Sequence, residues 1–178
     1  MTEIKLWHGG TRWESKPEIK PVKPGRYEAG PGIYLTSSYE RARSYAKGGK
    51  VTTLVTLIEK SKIRWLESAK VRRQEILKFL YDTPRLRQRD QIVDYFDKLE
   101  GDLVPASYLV NLCVNYDALT GANGPLLAKW LVSQGIDASL HSPKTGESWV
   151  IVFNPEIIKL HTVVPAKMVN LSQYDLSV

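Results

Sequence analysis

The stretch Gly30-Pro31-Gly32-Ile33-Tyr34-Leu35-Thr36-Ser37-Ser38-Tyr39-Glu40-Arg41-Ala42-Arg43-Ser44-Tyr45 changes its period partway through. Gly30-Pro31-Gly32 breaks whatever precedes it, and Ile33–Thr36 has the β-branched and aromatic content of a brief strand. Ser37 with Glu40 three positions later forms a capping-box pattern, which predicts a helix that runs to about Ala46 and stops at Gly48-Gly49. Val51–Ile58 (VTTLVTLI) then returns to a β-branched run bounded by glycine. Strand, short helix and strand follow one another, and the rest of the chain is read outward from that unit.

Upstream, residues 3–9 (EIKLWHG) make a short strand candidate, followed by a polar run rich in Lys, Pro and Gly to about Gly32. Downstream, about 66–134 reads as helical. Val71, Ile76, Leu77 and Leu80 form one apolar stripe, and Ile92, Val93, Phe96 and Leu99 form another. Ala106–Leu119 and Leu126–Ser133 are further helix candidates, ending at Gly121 and Gly135. Strand signals return at Ile136–Leu140, Trp149–Phe153 and Ile157–Val164, with Asn154-Pro155 as the turn between the last two. Strands at both ends and helices between them predict one α+β domain over residues 1–178. Its sheet would join the chain ends, and a central helical insertion (about 66–134) would cover one side.

Composition sets the outer limits. A chain of 178 residues, 43% of them hydrophobic, can bury a core and is neither disordered nor fibrous. The lone cysteine, Cys113, excludes an internal disulfide, and its place in an apolar helical stripe reads as inert packing. No apolar run approaches the ~20 residues that cross a bilayer, and MTEIKLWHGG has no apolar core of signal-peptide length. The expected setting is the cytoplasm, with no membrane partner. The net charge of +6 is uneven: Lys60–Arg89 holds ten Lys or Arg against three acids, and the remainder holds 15 against 16. Such a stretch either docks a local anionic partner or forms a solvated helix face.

Several chemistries are absent by motif: no Walker loop, no GxGxxG opening a helix, no GxSxG elbow and no zinc-type cysteine pairs. With only His8, His141 and His161 present, no metal site is expected. Three short patterns remain. Leu6-Trp7-His8-Gly9-Gly10 puts a histidine at a strand end before two glycines, where the backbone can approach an amide closely. Tyr34 and Tyr45 flank the expected helix and could bring two rings to one side of a cleft around a flat heterocycle. Gly146-Glu147-Ser148-Trp149-Val150-Ile151-Val152-Phe153 sets a carboxylate at the start of a buried strand. Each also has a structural reading: a strand-end histidine, two half-buried core tyrosines and a solvated turn glutamate.

Taken together and in this order, LWHGG, GPGIYL with SSYERARSYA, and GESWVIVF resemble the His–Tyr–Glu pattern of ADP-ribosyltransferases. The resemblance is to the branch containing diphtheria toxin and the poly(ADP-ribose) polymerases, and VIVFNPEIIKL is similar to small phage and bacterial members of the superfamily. It covers the first ~50 and last ~45 residues, and none of the helical middle. It implies a split antiparallel β-sheet with an NAD cleft between its halves, and transfer of single ADP-ribose units from NAD, as co-substrate, to a protein or nucleic acid. An effector of this kind would act in the cytoplasm of a host cell.

Residue by residue, the resemblance makes His8 the hydrogen-bond partner of the adenosine ribose and Gly9 the backbone contact for the nicotinamide carboxamide. Tyr34 and Tyr45 would flank the nicotinamide, and Glu147 would be the catalytic carboxylate at the nicotinamide ribose, with Glu156 as its fallback. Ala42 stands where the polymerases place a carboxamide-binding serine. Gly10 replaces the hydroxyl residue usual after His-Gly, with Thr11 one place later. Two other readings stand beside transfer: an NAD glycohydrolase on the same fold, and a non-catalytic module that binds nucleic acid through Lys60–Arg89. RNA 2′-phosphate transfer would need more cations near the motifs than Arg12, Arg41 and Arg43.

Overall fold

In a computed structural model that describes residues 3–21, 27–170 and 178, the strands from both chain ends share one sheet. Residues 22–26 of the polar run before Gly30 lie outside the described residues, as do 1–2 and 171–177. The chain order is β1 (Glu3–Gly10), β2 (Ile33–Thr36), α1 (Tyr39–Tyr45), β3 (Val51–Glu59), β4 (Lys70–Arg72), α2 (Arg73–Asp82) and α3 (Arg89–Asp97). Then come β5 (Leu103–Pro105), α4 (Ala106–Asn115), α5 (Asn123–Ser133), β6 (Ala138–His141), β7 (Trp149–Val152) and β8 (Ile158–Val163). The six-stranded sheet runs β6-β7-β2-β1-β3-β8 with antiparallel neighbours, and β4 and β5 form a separate ribbon. The fold is therefore α+β, with an antiparallel main sheet and, among the described residues, five α-helices. Among the described residues no helix is long and apolar enough to cross a membrane.

The join at the middle of the sheet shapes everything that follows. β1 pairs with β3 along its whole length, from Glu3↔Glu59 to Gly10↔Val51, with one register shift between Glu3 and Ile4. With β2 it keeps one registered pair, Trp7↔Thr36. Beyond Trp7 the β2 side of β1 therefore faces a gap.

Alternation along the strands sorts the core into two faces. Leu6, Ile33, Leu35, Val55, Val150 and Val152 pack together on one face, with Trp13 and Ile19 of the segment after β1 against them. On the other, Trp7 packs with Tyr39 and Ala42 of α1, and Ile151 and Phe153 pack with the helical layer. Cys113 is fully buried in that layer, and burial pushes its thiol up to about 12.

Four local expectations are corrected. The cap of α1 is Ser38, whose Oγ accepts from the Arg41 amide at 3.2 Å. Ser37 is taken by the sheet instead, its Oγ accepting from the Ser148 amide and its own amide donating to the Ser148 carbonyl. Val71 lies not on a helix but in β4, opposite Val104, because a three-residue strand is too short to show a period of two. α5 starts at Asn123 rather than Leu126, with Gly124 inside its first turn against the ring of Tyr27, where a Cβ would sit 2.3 Å from the ring. Before the last strand, Pro155–Ile157 is a 3₁₀ turn capped by Asn154, so β8 begins at Ile158.

An ion pair between exposed Arg64 and buried Asp137 fastens the helical layer's entry to the sheet. Asp137 accepts from Arg64 Nε at 2.8 Å, Arg64 Nη2 at 2.7 Å, the Arg64 amide at 3.1 Å and Asn154 Nδ2 at 2.8 Å. Burial alone would raise the Asp137 pKa, but these bonds hold the carboxyl below the usual carboxylate range.

Candidate active site

The gap beyond Trp7 holds a cavity of about 230 Å³ lined by Trp7, His8 and Gly9 of β1, Tyr34 and Thr36 of β2, Trp149 of β7, and Arg41, Ala42 and Tyr45 of α1. Leu35 and Glu28 complete it. Each motif thus contributes a residue because the sheet sets β1 beside β2 and β2 beside β7.

His8 Nδ1 lies 2.9 Å from the Tyr34 carbonyl oxygen, which can only accept, so Nδ1 carries the proton and Nε2 keeps a lone pair. Its ring stacks on Trp13 at 4.5 Å. Burial pulls the His8 pKa below its ordinary value, partly offset by the Tyr34 carbonyl, so the neutral ring prevails at pH 7. Gly9 has no room for a side chain: a Cβ would lie 1.7 Å from the Ala42 carbonyl oxygen. The glycine lets α1 rest on the strand, and buried Ala42 keeps that approach close. A Cβ at Gly10 would sit 2.8 Å from His8 Nε2, so a residue there would crowd the one ring nitrogen left open.

Tyr34 is fixed at its tip. Its hydroxyl donates to the Gly30 carbonyl at 2.7 Å and accepts from the Ala29 amide at 3.0 Å, and burial raises its pKa. Its ring meets Trp149 edge-on at 6.4 Å. Tyr45, at the end of α1, is 55% exposed and lines the same cavity.

Glu147 lies two residues before β7, and its side chain is only 8% exposed, which excludes a solvated turn position. Oε1 accepts from Arg41 Nε at 3.0 Å, and Oε2 is 3.5 Å from Thr36 Oγ1. Both partners line the cavity, whereas Glu147 itself does not, so the carboxylate sits directly behind the residues of the wall. Glu156 is exposed and paired with Lys16, outside that lining.

A second, open groove of about 720 Å³ shares His8 and Tyr34 with the first and continues past Thr11, Arg12, Trp13, Lys16 and Lys20. Thr11 thus lies in this groove and not in the cavity. None of the Lys60–Arg89 cations lines either space. Half of them are engaged internally: Lys62 with Glu59, Arg64 with Asp137, Arg87 with Asp117, Arg73 with the Leu99 carbonyl and Arg89 with the Thr83 carbonyl. Among the described residues no group of three or more His, Cys, Asp or Glu could hold a metal ion.

Sequence reasoning missed Arg41, Thr36, Trp149 and Trp13. For Trp149 a signal existed: in an alternating strand it faces away from Val150 and Val152, together with Ile151 and the residue opposite it, Thr36. Nothing in the sequence signalled that Arg41 would reach Glu147, since 106 residues separate them. No protein-family model, curated protein or solved structure matches the chain.

Proposed function

We propose that this chain is an NAD-dependent ADP-ribosyltransferase of the His–Tyr–Glu type, moving ADP-ribose from NAD to a protein or nucleic acid and releasing nicotinamide. The observation that carries the reading is the convergence of His8, Gly9, Tyr34 and Tyr45 on one cavity, with the nearly buried Glu147 carboxylate bonded to Arg41 and Thr36 of the same lining. The sizes support it as well. The smaller cavity suits a nicotinamide ring, and the larger groove, which shares His8 with it, has room for the adenosine half; its cations Arg12, Lys16 and Lys20 stand beside Glu14 and Glu18, with Arg12 paired to Glu14 and Lys16 to Glu156.

In this reading Tyr34 and Tyr45 hold the leaving ring, and the Gly9 backbone lies close enough to meet its carboxamide. Neutral His8 accepts a ribose hydroxyl at Nε2. The bond from ribose C1′ to the ring nitrogen breaks, and its electron pair leaves with nicotinamide. The sugar gains oxocarbenium character, which the Glu147 carboxylate stabilises more than it stabilises bound NAD. The acceptor then bonds to C1′ and gives up a proton. Water in the acceptor's place would make the protein an NAD glycohydrolase.

The test incubates the protein with NAD labelled in the adenosine half, with and without cell lysate. Label on a macromolecule, absent with Glu147→Gln, is the expected result. Free labelled ADP-ribose alone would replace transfer with hydrolysis. Intact NAD throughout, with no NAD binding, would overturn the reading and leave the basic stretch as a nucleic-acid contact. That contact should weaken by roughly 0.9 log units per phosphate per decade of salt.

A further inference from the structure

The Arg41–Glu147 contact has no counterpart among the motif residues. Arg41 sits at the third position of α1, where the Ser38 cap fixes its amide, and its side chain, 40% exposed, lines the cavity and reaches Glu147. The two carboxylate oxygens are held unequally. Oε1 receives a charge-assisted bond from Nε at 3.0 Å. Among the described residues Oε2 has only Thr36 Oγ1 at 3.5 Å, at the limit of hydrogen bonding, and that hydroxyl already accepts from the Ser38 amide at 3.0 Å. One oxygen is anchored and the other is held weakly.

We infer that Arg41 is a positioning residue, which clamps Glu147 by Oε1 so that Oε2 is presented to the cavity. This inference rests on the proposed NAD chemistry. Two effects of Arg41 oppose each other. Its positive charge works against the developing sugar cation, whereas its bond fixes the carboxylate's rotamer and keeps it against the wall. The geometry favours the second. Among the described residues Glu147 has no other strong partner, and without Arg41 its carboxylate would turn toward water to recover solvation. A carboxylate misplaced by about an ångström can lose on the order of 100-fold in rate.

The test measures nicotinamide release over a range of NAD concentrations for the wild type, Arg41→Ala, Arg41→Lys, Glu147→Gln and the double variant Arg41→Ala/Glu147→Gln. NAD affinity is measured separately by tryptophan fluorescence. Arg41→Ala should lower kcat at least ~10-fold with KM and NAD affinity within ~3-fold, and Arg41→Lys should recover part of the loss. The double variant should be no slower than Glu147→Gln, because a residue that acts only through Glu147 has nothing left to position. An Arg41→Ala enzyme as fast as the wild type, a change in KM alone, or additive losses in the double variant would overturn the role of Arg41 while leaving the transferase reading intact. A wild type that neither binds NAD nor releases nicotinamide would overturn both.

Discussion

Replacing Gly9 by alanine tests the packing that creates the cavity. The added methyl would lie 1.7 Å from the Ala42 carbonyl oxygen and 2.6 Å from its carbon. Both are backbone atoms, so no rotamer change relieves the clash, and the gap must open to roughly twice that distance. Either α1 lifts off β1 or β1 loses register with β3. Overpacking of a tight core costs about 1–3 kcal/mol, and a rigid obstacle puts this site at the upper end. Because α1 also carries Arg41 and Tyr45, its displacement should widen the cavity and release Glu147. The expected outcome in urea denaturation is a stability loss of about 2–3 kcal/mol, with NAD binding reduced even where the variant is fully folded. The control is Gly48→Ala, at φ +69° with nothing within 4 Å, which should cost only about 1 kcal/mol of backbone strain and leave NAD binding unchanged. A Gly9→Ala protein within 0.5 kcal/mol of the wild type that binds NAD normally would refute the argument from close approach.

Other positions give further expectations. Asp137→Ala should cost about 2–3 kcal/mol in urea at pH 7, because it leaves the Arg64 and Asn154 donors without their acceptor. Since Asp137 is held below the usual carboxylate range, its contribution is complete above the unfolded pKa near 3.9 and lost as pH falls through the lower folded value; the difference between wild type and variant should therefore shrink in acid. Tyr34→Phe removes the acceptor of the Ala29 amide and should cost about 1–2 kcal/mol, with a raised KM for NAD if the 29–32 turn loosens. His8 has a lowered pKa in the fold, so its share of stability is complete above about 6.5 and lost as pH falls through the folded value; His8→Gln should flatten that part of the stability–pH curve, measured by thermal melts.

The strands and α1 were legible because their signals are local: glycine breakers, β-branched runs and a serine before a helical stripe. β1, β2 and β3 match their expected ranges within a residue. The ribbon of β4 and β5 was not legible, since three-residue strands carry no period and gain their identity from pairing with each other across thirty-odd residues. The cap of α1 fell one residue late because two adjacent serines compete, and tertiary pairing with Ser148 decided between them. Within the site, His8, Gly9, Tyr34 and Tyr45 were named from short motifs, and they line one cavity. Arg41 escaped because its role depends on a contact between α1 and the turn before β7, which no local pattern encodes. The basic run was legible as charge, but not that intramolecular carboxylates and carbonyls engage half of it, since those partners lie elsewhere in the chain.

The central claim is that Glu147 serves cleavage of the bond between ribose and nicotinamide. Its most direct measurement is nicotinamide released from NAD by purified wild-type protein and by Glu147→Gln at equal folded concentration, quantified by mass spectrometry in the presence of lysate. The account predicts release by the wild type and a rate lower by on the order of 10²–10³ in the variant, with NAD still bound. Equal release by the two proteins would remove Glu147 from the chemistry, and no release by either, with no NAD bound, would contradict the account.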